Sequence, residues 1–208
     1  MSPRIKLVEY YSKIYPHIKI FRGTTFLFSK LQAFAMNEHE SSYSINLCGQ
    51  KVTFQHHQDF FATYLSEKAH IEEFMKELKE DTIIYDVGSW RGFYSIIGPP
   101  NTKSFAFEID DENIEKIKLN RSLNSNKKIN IVDKAVWNKN EVIKVQTGNN
   151  STNKINSGEK EIEAITIDSF TSNHKNPDII KIDVEGAEKQ VLEGAKKTLQ
   201  NQKPHNIY

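Results

Sequence analysis

The chain has 208 residues and a mass of 24.0 kDa, enough for one α/β domain of ordinary size with an extension. With 28 Lys+Arg against 27 Asp+Glu the formal charge is +1, which removes the electrostatic case for a general nucleic-acid or anionic-membrane binder. Hydrophobic residues at 38% and aromatics at 11% describe a globular chain, and the single cysteine, Cys48, excludes an intrachain disulfide framework or a multi-cysteine zinc site.

Near the start, Ile5, Val8, Tyr11, Ile14 and Tyr15 recur at helical spacing, and residues 26 to 36 form a second apolar helical candidate. Ser44 to Leu47, the turn Cys48-Gly49-Gln50 and Val52 to Phe54 predict a β-hairpin. Phe60, Phe61, Tyr64, Ile71, Phe74, Met75 and Leu78 suit one long amphipathic helix or two short ones over residues 59 to 80. After Asp81 the texture changes to strands alternating with helices. Thr82 to Gly88 is a short apolar run ending in an acid and a glycine, hence a buried strand, with a short helix expected from Gly92. Ser104 to Glu108 is the next strand, and Asp111 to Leu123 an amphipathic helix capped by Asp110 or Asp111. Residues 129 to 137 predict a third strand, 141 to 146 a further one, and 165 to 167 a short one. Asp178 to Val184 is a fourth core strand and Ala187 to Leu199 a helix, while residues 205 to 208 begin a fifth core strand. This alternation specifies a mostly parallel sheet covered on both faces. Residues 1–80 are therefore expected to form a helical and hairpin extension, and residues 81–208 an α/β domain.

No run approaches the ~20 apolar residues of a spanning helix, and the first residues lack the apolar core of a secretory signal. A soluble, cytoplasmic protein is expected, with Cys48 of no redox consequence. His56 and His57 are read as exposed, with a base reaching the cleft as the alternative for either. Lys127-Lys128 and Lys196-Lys197 are read as solvated charges, Trp137 as core, and residues 149 to 157 as a polar, mobile loop that is a candidate cover for the acceptor site.

The segment Asp86-Val87-Gly88-Ser89-Trp90-Arg91-Gly92 joins the first buried strand to the first helix of the alternating unit. In open α/β sheets ligands bind outside the carboxyl ends of the strands. Gly88 permits a tight turn and a close backbone approach, and Gly92 opens the helix without side-chain obstruction. The spacing is neither the G-x-G-x-x-G that cradles a pyrophosphate nor a P-loop, which argues against a nicotinamide-dependent dehydrogenase. Asp86 would repel phosphate and welcome a cationic group. Glu108, at the end of the next strand, suits hydrogen bonds from both hydroxyls of a ribose. An adenosine ligand with a positive centre and no pyrophosphate fits S-adenosylmethionine. Lys181, Asp183 and Glu185 lie in or just after a strand that should be mostly apolar, so they are either paired or functional. Asp86, Glu108, Asp183 and Glu185 all belong to one edge of the sheet.

Asp86-Val87-Gly88-x-x-x-Gly92-Phe93-Tyr94-Ser95, Phe107-Glu108 with Asn113, Lys134-Ala135-Val136, Thr166 to Ser169 and the block Ile180 to Glu188 resemble the FkbM family of S-adenosylmethionine-dependent methyltransferases. The similarity runs in order from about Val52 to the C-terminus. The resemblance implies a Rossmann-like three-layer sandwich, here lacking the last C-terminal strands of a seven-stranded sheet. It implies methyl transfer to a hydroxyl of a glycan or small-molecule acceptor. Cofactor-binding positions would be Asp86, Gly88, Ser89, Gly92 and Glu108, with Asp133, Lys134 and Ala135 beside the adenine. Asp183 and Glu185 would face the methyl group and the acceptor, Asp183 as base or orienting group. No resident metal is expected, although Asp183 and Glu185 holding a divalent ion on a diol, or a purely structural Lys181–Asp183 pair, are the alternatives. At the level of the whole chain the alternative is a non-catalytic cofactor-binding or interaction protein. A homo-oligomer covering the exposed sheet edge is a further expectation.

Overall fold

The computed structural model describes residues 42–47, 49–55, 57–146, 154–155, 160–201, 204 and 206–207. The helices expected over 5–15 and 26–36, with Cys48, His56 and most of the 149–157 loop, lie outside the described residues. The chain divides into two compact units, Met1–Phe74 and Met75–Tyr208.

In the first unit, β1 (Tyr43–Leu47) and β2 (Gln50–Phe54) pair antiparallel as the predicted hairpin. Ile45, Leu47, Val52 and Phe54 are buried, the period-two signature of a sheet with one covered face. Helix α1 (His57–Glu77), whose last three residues are counted with the second unit, leaves helical geometry at Glu67, where φ is −120° and ψ is 17°, so the one-or-two-helix expectation resolves as two runs joined at a kink.

The second unit contains β3 (Ile83–Val87), α2 (Phe93–Ile96), β4 (Lys103–Glu108), α3 (Asp111–Leu123), β5 (Lys128–Asp133), β6 (Ala135–Val136) and β7 (Glu141–Gln146). It continues with β8 (Lys154–Ile155), β9 (Lys160–Ile165), α4 (Ile167–Phe170), β10 (Ile179–Ile182), α5 (Glu188–Glu193), α6 (Lys196–Asn201) and β11 (Asn206–Ile207). One sheet has the order β11-β10-β3-β4-β5 and is parallel throughout. The chain starts in the middle at β3, steps outward to β4 and β5, then returns to the other side at β10. The order therefore reverses between β3 and β10, the point at which open α/β sheets bind ligands.

All five residues of β3 are buried, as befits a strand covered on both faces. Ile83, Tyr85 and Val87 join Phe105, Phe107 and Ile180 in a core that Ile167, Val191 and Ala195 close from α4, α5 and the α5–α6 junction. Phe170 meets Phe107 and Phe105 edge to face, at centroid distances of 5.0 and 5.2 Å. On the opposite face, Asp86 meets Ser95 of α2, and α3 brings Ile117 against Gly92. Helices on both faces of a parallel sheet make this a Rossmann-like fold. Helix α3 starts where its cap predicts: the Asp110 carboxylate accepts the Asn113 amide at 3.1 Å, with Asp111 and Glu112 in the first turn.

A second sheet, β6-β9-β7-β8, was not foreseen. Residues 129 to 137 are not one strand. The Lys134 amide bonds back to the Val132 carbonyl at 2.9 Å, which turns the chain out of the parallel sheet and sends Ala135–Val136 to pair with β9. Residues 165 to 167 likewise divide: Thr166 Oγ1 accepts the Ser169 amide at 3.0 Å, ending β9 and starting α4. The helix expected over 187–199 is two helices. At their junction a Cβ on Gly194 would lie 2.1 Å from the Trp137 carbonyl oxygen, and Asp168 accepts the amides of Lys197 and Thr198, at 3.0 and 2.8 Å, to open α6. Lys127 is not solvated: it is 7% exposed, with its ammonium donating to the Gly98 carbonyl. Asn206–Ile207 pairs parallel with Ile179–Ile180 as the expected fifth core strand. Among the described residues no helix is long and apolar enough to cross a membrane.

Candidate active site

The carboxyl ends of β3 and β10 lie side by side, with Val87 opposite Ile182. The loop after β3 folds tightly over this point. Gly88 has φ +73°, and a Cβ there would sit 1.9 Å from the Asp183 carbonyl oxygen, so the two strand ends are in backbone contact. The amides of Gly88 and Ser89 both donate to the Phe107 carbonyl, at 3.1 and 3.0 Å, which ties the loop to the end of β4. Ser89 is buried, and Gly92 turns the chain into α2 with φ +78° against Ile117. Two non-glycine residues flank the same point in left-handed backbone: Trp90 at φ +49° and Glu185 at φ +53°. Each such conformation costs ~1–2 kcal/mol, and strain of this kind gathers at ligand-binding sites. The Arg91 guanidinium stacks over the Trp90 ring at 4.5 Å.

Beneath the loop lies a buried charge cluster. Asp86 is fully buried; Ser95 Oγ donates to its Oδ2 at 2.7 Å, and its Oδ1 lies 3.6 Å from Lys181 Nζ. Lys181, itself 7% exposed, donates to the Gly88 carbonyl at 2.9 Å and lies 3.5 Å from Asp183 Oδ2. Its ammonium also sits 5.4 Å from the centroid of the Tyr94 ring. Asp183 is the exposed member, with 59% of its side chain accessible. Lys181 and Asp183 do pair, but with Asp183 exposed this is not the buried pair weighed from the sequence, and Lys181 reaches Asp86 as well. Glu185 is exposed, and the Gly186 amide next to it donates to Glu188 Oε1 at 3.0 Å, which lowers the Glu188 pKa.

Glu108, 6% exposed, closes β4 with Oε1 accepting the amides of Ile109 and Asp110 at 2.8 and 3.0 Å. Burial raises its pKa, outweighing the opposing amides of Asp110, Ile109 and Trp90. Asp133 stands opposite Glu108 in register and is exposed. Lys134 and Ala135 turn toward the second sheet, Lys134 to an ion pair with Glu163 at 2.5 Å and Ala135 into the core beside Ala164.

Asp86, Gly88 and Asp183 thus share Lys181 as a partner, Glu108 joins them through the end of β4, and Asp133 lies next to Glu108. Asp86 is placed under the loop rather than at its surface. Ser95 and Tyr94 were within the motif yet carried no role from sequence; their spacing after Gly92 on a helix over β3 was the available signal. Among the described residues no three His, Cys, Asp or Glu side chains come together as a metal site.

Residues 48–208 match the family model described as Methyltransferase FkbM domain. The chain belongs to this family. The FkbM match covers the β2 strand, α1 and the whole Rossmann-like unit. Among solved structures the chain is similar to the FkbM methyltransferase from Methylobacillus flagellatus KT, with 14% identity over 70% of this chain and 48% of that one, at a TM-score of 0.45. It is also similar to the precorrin-6y C5,15-methyltransferase from Geobacter metallireducens GS-15, with 14% identity over 64% of this chain and 56% of that one, at a TM-score of 0.42. A tRNA m1G37 methyltransferase from M. jannaschii matches at 20% identity over 50% of this chain and 37% of that one, with a TM-score of 0.31. The chain spans about half the length of the first two of these structures. No curated protein matches the sequence.

Proposed function

We propose that the chain is a cytoplasmic, S-adenosylmethionine-dependent O-methyltransferase acting on a hydroxyl of a glycan or other small molecule. The observation that carries this reading is the sheet's reversal between β3 and β10, with the Gly88 loop folded over it and Glu108 fixed at the end of the next strand. Membership of the FkbM family supports it.

The residues fit the cofactor in two respects. Glu108 is held in one orientation by two backbone amides, as a carboxylate must be to receive a pair of ribose hydroxyls. Asp86, Lys181 and Asp183 carry two negative charges and one positive, so this cluster has a net charge of −1 when all three are ionised. That suits a ligand with a positive sulfur. When bound, S-adenosylmethionine supplies a methyl group activated by its sulfonium.

The chain supplies the remainder. Gly88, Ser89 and Gly92 shape the backbone against which the ligand lies. Asp133, Lys134 and Ala135 border the adenine, and Glu108 fixes the ribose. Asp183, exposed at the end of β10 and backed by Lys181, accepts the proton of the acceptor hydroxyl or orients it, with Glu185 in support. A positioned carboxylate contributes ~100- to 10,000-fold in such a role. Asp86 acts from below, through Lys181.

Calorimetric titration with S-adenosylmethionine and S-adenosylhomocysteine tests this, with Glu108→Ala as control. Micromolar binding that the variant loses is the expected result. A folded chain that binds neither compound refutes the proposal. Binding without turnover on a broad hydroxyl-acceptor panel refutes the catalytic half of it.

A further inference from the structure

The second sheet reaches both strand ends on the side assigned to adenosine. Strand β9 begins at Lys160, whose Nζ donates to the Ile109 carbonyl at 3.0 Å and to Asp111 Oδ2 at 2.8 Å. Three residues along, Glu163 pairs with Lys134, just past the end of β5. One strand thus braces the loops that follow β4 and β5.

The connection to Glu108 runs through a single peptide group. The unit joining Ile109 to Asp110 has its carbonyl on Lys160 and its amide on Glu108 Oε1, at 3.0 Å on each side. A cation on the oxygen of a peptide polarises it and strengthens the bond its N–H gives, as in any hydrogen-bonded chain. The Ile109 side chain fixes the same peptide from the other direction. It packs against the core of the second sheet, formed by Ala135, Ile143, Val145, Ile162 and Ala164. Glu108 belongs to the parallel sheet, yet Ile109, whose amide its carboxylate accepts, packs against the other one.

We propose that the second sheet positions the ligand-binding carboxylate of Glu108, with Lys160 of β9 acting through the Ile109–Asp110 peptide. Lys160 is a positioning residue, and this assignment rests on Glu108 holding the ribose. It gives the second sheet a task in cofactor binding distinct from any part in acceptor recognition.

The test is a double-mutant cycle read by calorimetry with S-adenosylhomocysteine, using Lys160→Met, Glu108→Gln and both together, with Lys160→Arg alongside. Lys160→Met is expected to weaken binding about three- to tenfold, the range for a partly exposed charge-assisted hydrogen bond. Its melting temperature without ligand stays near that of the unaltered chain, and Lys160→Arg recovers most of the affinity. In the Glu108→Gln background, Lys160→Met costs little more, because the group it acts through is already changed. Full additivity overturns the assignment, since a general structural role weakens binding equally in both backgrounds. Unchanged affinity in Lys160→Met overturns this assignment alone. Absence of binding by the unaltered chain overturns the methyltransferase proposal and this assignment with it.

Discussion

Three glycines separate backbone strain from steric clash, two in the loops at the ends of β3 and β10 and one at the α5–α6 junction. Gly186 has φ +101° with nothing within 4 Å of the position a Cβ would take, so Gly186→Ala introduces strain alone. Gly194 has ordinary helical dihedrals at φ −79°, but its Cβ would approach the Trp137 carbonyl oxygen to 2.1 Å, so Gly194→Ala introduces a clash alone. Gly88 combines both, with φ +73° and an approach of 1.9 Å to the Asp183 carbonyl oxygen. Left-handed alanine costs ~1–2 kcal/mol, and overpacking against a backbone that must shift costs ~1–3 kcal/mol. Gly186→Ala is therefore expected to lose about 1 kcal/mol, Gly194→Ala about 2, and Gly88→Ala near the sum, ~2–5 kcal/mol. Urea unfolding followed by circular dichroism resolves these differences if the slopes agree, and Gly88→Ala should lower the melting temperature by roughly 5–15 °C. Equal losses in Gly88→Ala and Gly186→Ala, within about 0.5 kcal/mol, refute the described contact between the two strand ends.

Lys181→Met leaves the fully buried Asp86 without its cation and is expected to cost ~3–5 kcal/mol in denaturant titration; adding Asp86→Asn to it should recover more than half. Asp168→Ala removes the acceptor of the Lys197 and Thr198 amides and of the Thr198 hydroxyl, and thermal scans should show a loss of ~1–2 kcal/mol. For Glu108, burial holds the carboxyl above its ordinary 4.5, so the folded state keeps this proton more tightly than the unfolded chain. That contribution is complete below about pH 4.5 and is lost as pH rises through the raised value. Glu108→Gln removes it, so the variant should gain stability relative to the unaltered chain as urea titrations move from about pH 4 to about pH 7. A difference that stays flat across that range sinks the explanation.

Much of the Rossmann-like unit was legible because its signals are local. The bounds of α3 follow from Asp110 as cap and from the burial of Ile114, Ile117 and Asn120 along one stripe. Strands β3, β4 and β10 announce themselves as short apolar runs between turn residues. The second sheet was illegible for the opposite reason: β6 has two residues, and Ala135 finds Ala164 29 positions later, a pairing no local pattern encodes. The break at Gly194 depends on the Trp137 carbonyl, so a helical pattern continuing through it misleads. At the site, Glu108 and Asp183 could be placed at strand ends from sequence. The burial of Asp86 is a tertiary fact, set by α2 covering that face of β3 and by Ser95 supplying a donor.

Strand β3 sits at the centre of the parallel sheet, yet half of its hydrogen bonding arrives late. The Ile83 amide donates to Asp178 Oδ2 at a separation of 95 residues, and β10 follows directly after. At roughly 5–20 residues per second, a ribosome takes about 5–20 s to deliver that partner. Through that interval the apolar strand Ile83–Val87 has β4 and β5 on one side and an open edge on the other. Such an edge is a target for chaperones and for mispairing between nascent chains on neighbouring ribosomes. The edge proposed to bind the ligand, made jointly by the loops after β3 and β10, is consequently among the last parts of this unit to form as the chain is made.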